Sequence, residues 1–262
     1  MASARSIWPD RVNILGVGIA AANIPLALEH FDGLIAEGAR QYICVADVHL
    51  VMQAQWDPAL RLVLNQAGMI TSDGMPLVWL CRRARGPHAG RVYGPDLLMA
   101  ACEHGLKAER RHYFLGGAPG VADELARRLM ERFPGLKIAG AYSPPFGDAP
   151  DAQNEAEVAR RINAAKPDFL WVGLGAPKQE FWMRRFRPLL DVPVMLGVGA
   201  AFDFHSGTKP PAPKFLRSAG LEWVFRLATE PARLWPRYRK VVPGFVYRVA
   251  LQSLGLARYT LD

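Results

Sequence analysis

The stretch Arg111–Phe133, RHYFLGGAPGVADELARRLMERF, decides the fold. RHYFLGG reads as a short buried strand. It breaks at Gly116-Gly117-Ala118-Pro119-Gly120 and runs on into an amphipathic stretch in which Leu125, Leu129 and Phe133 recur every four residues, one face of a helix. Strand, glycine turn and helix make one βα unit.

The same alternation extends in both directions. Strands are expected at VNILGV (from Val12), QYICVAD (from Gln41), GMITSD (from Gly68), LKIAGAY (from Leu136), FLWVGLG (from Phe169) and VPVMLGVGA (from Val192), with amphipathic stretches between them. Near-continuous apolar strands alternating with helices predict an α/β fold, a Rossmann-like, mostly parallel sheet with helices on both faces. SPPFGDAPDA (from Ser143) reads as a loop. Beyond Phe204 the alternation stops, PPAPK (from Pro210) reads as a stiff linker, and short basic helices are expected after it. The chain therefore divides into a core, residues 1–205, and a basic helical C-terminal appendage, residues 206–262. Since every strand candidate ends before Phe204, the core is expected to fold without the appendage.

Charge separates the two parts. From His205 onward there are ten Lys/Arg against three Asp/Glu, whereas the whole chain carries only +8. A neutral body with a basic tail suggests that one part does chemistry and the other meets an anion. Arg233, Arg237 and Lys240 fall on one helical face flanked by Trp235 and Tyr238, which suits an anionic membrane surface or a diphosphate. Pro236 is expected to kink or shorten that helix. Nucleic acid is disfavoured because the neutral body continues no basic groove. Three cysteines without a CxxC pair fit a reducing compartment. No apolar run reaches the roughly 18 residues of a membrane span, and the first residues do not form a signal-peptide core.

Polar and glycine-rich tips fall at strand ends, where ligands of open parallel sheets bind. Gly116-Gly117, opening a helix, suits a diphosphate. Gly173-Leu-Gly175-Ala-Pro177-Lys178-Gln179-Glu180 sets a cation, an amide and an acid after a buried strand. Lys178 could meet a phosphate and Gln179 a sugar hydroxyl, while Glu180 could orient Lys178 or favour the helix start; Gly175, Pro177, Lys178 and Glu180 join Gly116, Gly117 and Gly199 as the candidate donor-binding set. Gly199 follows the last strand. Asp73, between a strand and an amphipathic run, is either a general base or a helix N-cap, and spacing alone favours the cap. His49 and His205 read as structural, because neither has metal-ligand spacing. Gly16-Val-Gly18-Ile-Ala-Ala21 fits a dinucleotide fingerprint loosely, but no acid ends the next strand at the required distance. A nicotinamide-dependent oxidoreductase and a non-catalytic membrane adaptor are thus the rival readings. No DxD, GxSxG, HExxH or P-loop occurs.

Read in order, ITSDGMPLVW (from Ile70), RVYGPDLL (from Arg91), YFLGGAPGVA (from Tyr113), GLGAPKQEFW (from Gly173), GVGAAFDFHSG (from Gly197) and GLEWVFRLATEPARLWPRY (from Gly220) resemble the WecG/TagA/CpsF glycosyltransferases, glycosyltransferase family 26. The resemblance implies a nucleotide-sugar donor, usually UDP-linked, a polyprenyl-diphosphate-linked sugar as acceptor, inversion at the anomeric carbon, and no metal or other cofactor. It implies action at the cytoplasmic face of a bacterial plasma membrane. On the matching positions, Asp73 takes the role of general base, Arg91 and Gln179 bind substrate, and Arg226, Arg233 and Arg237 are appendage arginines that close over the site. The family often has Thr-x-Asn at the end of its second strand; Val45-Ala46-Asp47 stands there, so Asp47 replaces an amide that binds substrate. Pro211 stands where a basic residue is usual. CVADVHLVMQAQ (from Cys44) looks closer to the xanthan-type exopolysaccharide branch, which makes glucose an alternative to N-acetylmannosamine or its uronic acid as the transferred sugar.

Overall fold

The computed structural model describes residues 10–144, 152–210, 212–213, 215–216 and 220–261, without the side chains of Ala152, Gln153 and Arg233. Six strands, β3 (Gln41–Ala46), β4 (Met69–Ser72), β5 (Arg111–Gly116), β6 (Lys137–Tyr142), β7 (Phe169–Gly173) and β8 (Val194–Gly197), form one sheet in the order β4-β3-β8-β7-β5-β6. Every neighbouring pair is parallel, and the registers align the carboxyl ends: Ala46 lies opposite Ser72, Cys44 and Val172 opposite Gly197, and Gly116 opposite Gly173. The middle strands are wholly apolar because helices cover both sides.

One face is covered by α1 (Ile24–Glu37), α5 (Gly94–Gly105), α6 (Val121–Arg132) and α9 (Ala201–His205), through residues such as Phe31, Leu97, Leu125 and Phe202. The other is covered by α2 (Val48–Trp56), α3 (Pro58–Asn65), α4 (Met75–Arg85), α7 (Ala152–Ala165) and α8 (Lys178–Phe186), through Leu50, Leu64, Leu77, Ile162 and Met183. The central neighbours β3 and β8 thus send the chain to opposite faces, into α2 and α9. That divergence opens a crevice above their carboxyl ends. Cys44, Cys81 and Cys102 are buried and unpaired.

Two expectations are corrected. VNILGV is not a strand of the parallel sheet. It splits into a separate antiparallel hairpin, β1 (Arg11–Ile14) and β2 (Val17–Ala20). The two loop residues, Leu15 (φ 53°) and Gly16 (φ 79°), both have positive φ, as in the primed turn that suits the strands' twist. Gly18 therefore lies inside a strand, and the glycine pair does not open a helix as a dinucleotide site requires.

The second correction concerns the appendage. After α10 (Glu222–Thr229) comes one helix of 23 residues, α11 (Pro231–Ser253), which runs through Pro236 and Pro243. Both prolines lie on its exposed side, where water can take the carbonyls they leave unpaired. The buried side, Leu234, Val241 and Phe245, faces the body, and Val241 and Phe245 join the same core cluster as Met52 of α2. At its end the chain returns to the hairpin: Gln252, in the last turn of α11, accepts from Leu15 N and donates to Asn13 O, and past the helix Tyr259 O accepts from Asn13. Most of SPPFGDAPDA, and Pro211 and Lys214 of the linker, lie outside the described residues.

Candidate active site

Asp73 is the first residue beyond β4. Its backbone N–H donates to Ala46 O at 2.8 Å, tying it to the end of β3. The segment containing Arg91 is held alongside, because Val92 N donates to Ser72 O at 2.8 Å and Ser72 Oγ to Gly90 O at 3.1 Å. Arg91 Nε then reaches Asp73 O at 2.6 Å, and a terminal guanidinium nitrogen reaches Asp73 Oδ1 at 3.1 Å. The carboxylate does not cap α4; Gly74 occupies the N-cap, with no side-chain cap bond. Burial pushes the Asp73 pKa up to about 7, against the opposing pull of Arg91; Glu222 and Asp47 add to the rise, and Arg226 opposes it. A quarter of the side chain still reaches solvent. The result is a recessed carboxyl that changes protonation near neutrality, as a general base requires.

The appendage completes this cluster. Glu222, at the start of α10, is 7% exposed. Its Oε2 accepts from Arg91 at 2.9 Å, and its Oε1 accepts from Tyr93 Oη at 2.9 Å and lies 3.2 Å from Arg226 Nε. Arg91 also stacks over the Tyr93 ring, and Arg226 lies over the Phe204 ring at 5.2 Å. Two carboxylates and two guanidiniums thus alternate from β4 to α10. Beside them Ala200, Phe204, Phe225 and Arg226 line a cavity of about 310 Å³.

On the other flank, Asp47 is the N-cap of α2 and accepts from Leu50 N at 2.8 Å. The structure thus gives Asp47 the capping role that spacing had suggested for Asp73. Its loop abuts the next one, since a Cβ on Gly74 would lie 3.7 Å from Asp47 Cα. Burial lowers the His49 pKa, Asp47 opposes the shift and Arg237 adds to it, so Arg237 of α11 faces this corner. Lys240 lies over the Trp56 ring at 4.4 Å. The face of α11 that carries Arg237 and Lys240 therefore borders α2, with Arg237 half-buried and Lys240 still exposed. The Arg233 side chain lies outside the described residues.

The loop after β7 divides its residues between two environments. Gln179 is buried and accepts from Gly199 N at 3.1 Å, joining the loops that follow β7 and β8. Glu180 is fully buried, and its Oε1 accepts from Gln179 Nε2 at 2.9 Å. Burial pushes the Glu180 pKa up to about 7, with the Gln179 bond opposing. Glu180 thus sits behind the crevice and supports Gln179; as a donor contact it is corrected by its burial. Lys178 is exposed at the helix start, after the half-buried Gly175 and Pro177. Gly116-Gly117 lies at the end of β5, four strand spacings from β4, or roughly 19 Å from Asp73. A Cβ on Gly116 would stand 2.6 Å from the backbone of Gly173, so this glycine is required by close packing of two strand ends.

Tyr93, Phe204 and Glu222 escaped the sequence reading. The available signal was Glu222 itself, an acid in a basic tail, four residues before Arg226 on one helix face.

The fold and this strand-end cluster define a member of the glycosyl transferase WecG/TagA/CpsF family, to which the chain belongs: the family's profile matches residues 12–259. The protein is accordingly a glycosyltransferase. Among its curated relatives, N-acetylglucosaminyldiphosphoundecaprenol N-acetyl-beta-D-mannosaminyltransferase of Bacillus spizizenii is 34% identical over 217 residues, 83% of this chain and 81% of the relative. A protein of the same name from Staphylococcus aureus strain NCTC 8325 is 28% identical over 244 residues, 92% of each chain.

Proposed function

We propose that the protein transfers an N-acetylmannosamine-type sugar from a UDP donor to a polyprenyl-diphosphate-linked sugar, with inversion and without a metal ion. Asp73 takes the proton from the acceptor hydroxyl, which attacks the anomeric carbon as the bond to the diphosphate breaks. Negative charge growing on the leaving diphosphate is met by Arg226, with Gly199 nearby at the crevice. The observation that carries this reading is the Asp73 carboxyl, recessed yet partly accessible, bonded to Arg91 and joined through Glu222 to an arginine of the appendage.

Residues 1–205 form the catalytic core and residues 206–262 the part that closes the site and meets the membrane. Among the described residues no helix is long and apolar enough to cross a membrane. On α11, Trp235, Arg239, Val242 and Val246 form an exposed stripe, with Trp235 59% and Val246 62% exposed. Aromatic and apolar groups interleaved with a cation suit an anionic lipid surface on the cytoplasmic face. The sugar is assigned from the relatives' names, and glucose, from the exopolysaccharide-like Cys44 stretch, has no support among them. A panel of nucleotide sugars with a short-chain polyprenyl-diphosphate glycoside, read by mass spectrometry, tests the reading. Addition of an N-acetylhexosamine from UDP-N-acetylmannosamine is expected. Transfer of glucose alone would overturn the donor, and no transfer from any UDP-sugar would overturn the reaction.

A further inference from the structure

We propose that Glu222 is a positioning residue for transfer: it docks the appendage onto the core and holds Arg91 and Arg226 on its two oxygens, so that the base and the diphosphate-binding arginine form together. The inference rests on the reading of Asp73 as base and Arg226 as the group that meets the diphosphate. Glu222 touches neither reacting atom; it acts through its neighbours.

The geometry supports this role over that of a surface ion pair. Glu222 is nearly buried, and three donors converge on it, Arg91 and Tyr93 Oη from one segment of the core and Arg226 Nε from its own helix. Arg91 and Tyr93 flank Val92, which is bonded to the end of β4, so their positions are fixed by the core. Arg226 lies one helical turn beyond Glu222 on α10, so its reach is set by how α10 docks. An exposed pair would contribute little. A nearly buried carboxylate with three charge-assisted or hydroxyl donors fixes geometry, and loss of its charge leaves the arginines with a different balance of partners. The groups acting on Asp73 are Arg91, Glu222, Asp47 and Arg226. Loss of the Glu222 charge removes a repulsive neighbour and leaves Arg91 to Asp73, so proton affinity at Asp73 should fall.

The test uses the full chain with a water-soluble acceptor analogue. Glu222→Gln keeps the size of the side chain and removes its charge. It is expected to lower kcat/KM at least tenfold, raise donor KM, and move the acidic limb of the pH–rate profile to lower pH. Because Glu222 acts partly through Arg226, the losses in the double variant Glu222→Gln/Arg226→Ala should multiply to less than the product of the two single losses. Wild-type kinetics and an unmoved limb in folded Glu222→Gln would overturn the proposal, as would fully multiplying losses in the double variant. Should Glu222→Gln fail to fold, Tyr93→Phe, which removes one bond to Oε1, decides by the same donor KM: an unchanged KM overturns the proposal, and a raised one supports it. Asp73→Asn separates the two levels. If that variant is inactive while Glu222→Gln is normal, only the positioning role fails; if Asp73→Asn is fully active, the reading beneath it fails.

Discussion

Replacing Asp73 by Asn removes the carboxylate while keeping nearly the same shape, and the structure fixes how the loss should depend on pH. With a pKa raised to about 7 by burial, Asp73 is about one-tenth ionised at pH 6, half at pH 7 and nine-tenths at pH 8. Wild-type kcat/KM should therefore climb about tenfold from pH 6 to pH 8. A carboxyl at its ordinary value would give a flat profile over that range. Asp73→Asn should lose roughly 10²–10⁴ in rate and lose the limb. Stability carries the opposite sign. A folded-state pKa above the unfolded one favours the protonated carboxyl, so the stability associated with Asp73 is full below the unfolded pKa of about 4. It is then lost as pH rises through 7. The melting temperature of Asp73→Asn, relative to wild type, should accordingly rise between pH 4 and pH 8. The assays are initial rates of UDP release across pH 5–9 and thermal melts in the same buffers. A flat wild-type profile together with an active Asn variant would refute the base assignment.

Three further outcomes follow from the same geometry. Transfer should survive excess EDTA, since in the proposed mechanism Arg226 and not a metal ion meets the diphosphate charge; inactivation rescued by magnesium or manganese would contradict this. Gly116→Ala should destabilise the protein by about 1–3 kcal/mol or more, because its Cβ meets the Gly173 backbone at 2.6 Å and the φ is 126°; denaturant titration measures it. Truncation after Gly207 should abolish transfer and weaken binding to anionic vesicles. It should also lower the melting temperature, since Leu234, Val241 and Phe245 each contribute on the order of 1.5–3 kcal/mol by burial; vesicle sedimentation and calorimetry check the two halves.

What the sequence determined is the part governed by short-range pattern. QYICVAD, GMITSD, RHYFLGG, LKIAGAY, FLWVGLG and VPVMLGVGA all contain strands of the sheet, because a strand covered by helices reads as a short, mostly apolar run that ends in a turn. Gln179 was legible in the same way, as a polar group just after a strand, whereas the base role of Asp73 and the choice of Arg91 and Arg226 came from the resemblance of their motifs to the family, since local spacing favoured a cap at Asp73. The hairpin was hidden because Leu15 occupies a turn position that Asn or Asp usually announces. The long helix was hidden because its prolines look like breaks until one sees that both face water.

Only the tertiary structure decided which acid does what. Asp47 and Asp73 have the same local pattern, an acid between a strand and a helix. Asp47 caps α2, while Arg91 and a neighbouring strand end draw Asp73 away from α4. Glu180 looked like a ligand contact and is buried behind Gln179; Glu222 looked like a charge in a tail and lies under it, linked to Asp73 through Arg91. The pKa and role of a carboxyl depend on burial and on charges contributed by distant segments, here 18 and more than 100 residues away along the chain. No local pattern encodes those distances, so they exist only once the chain has folded.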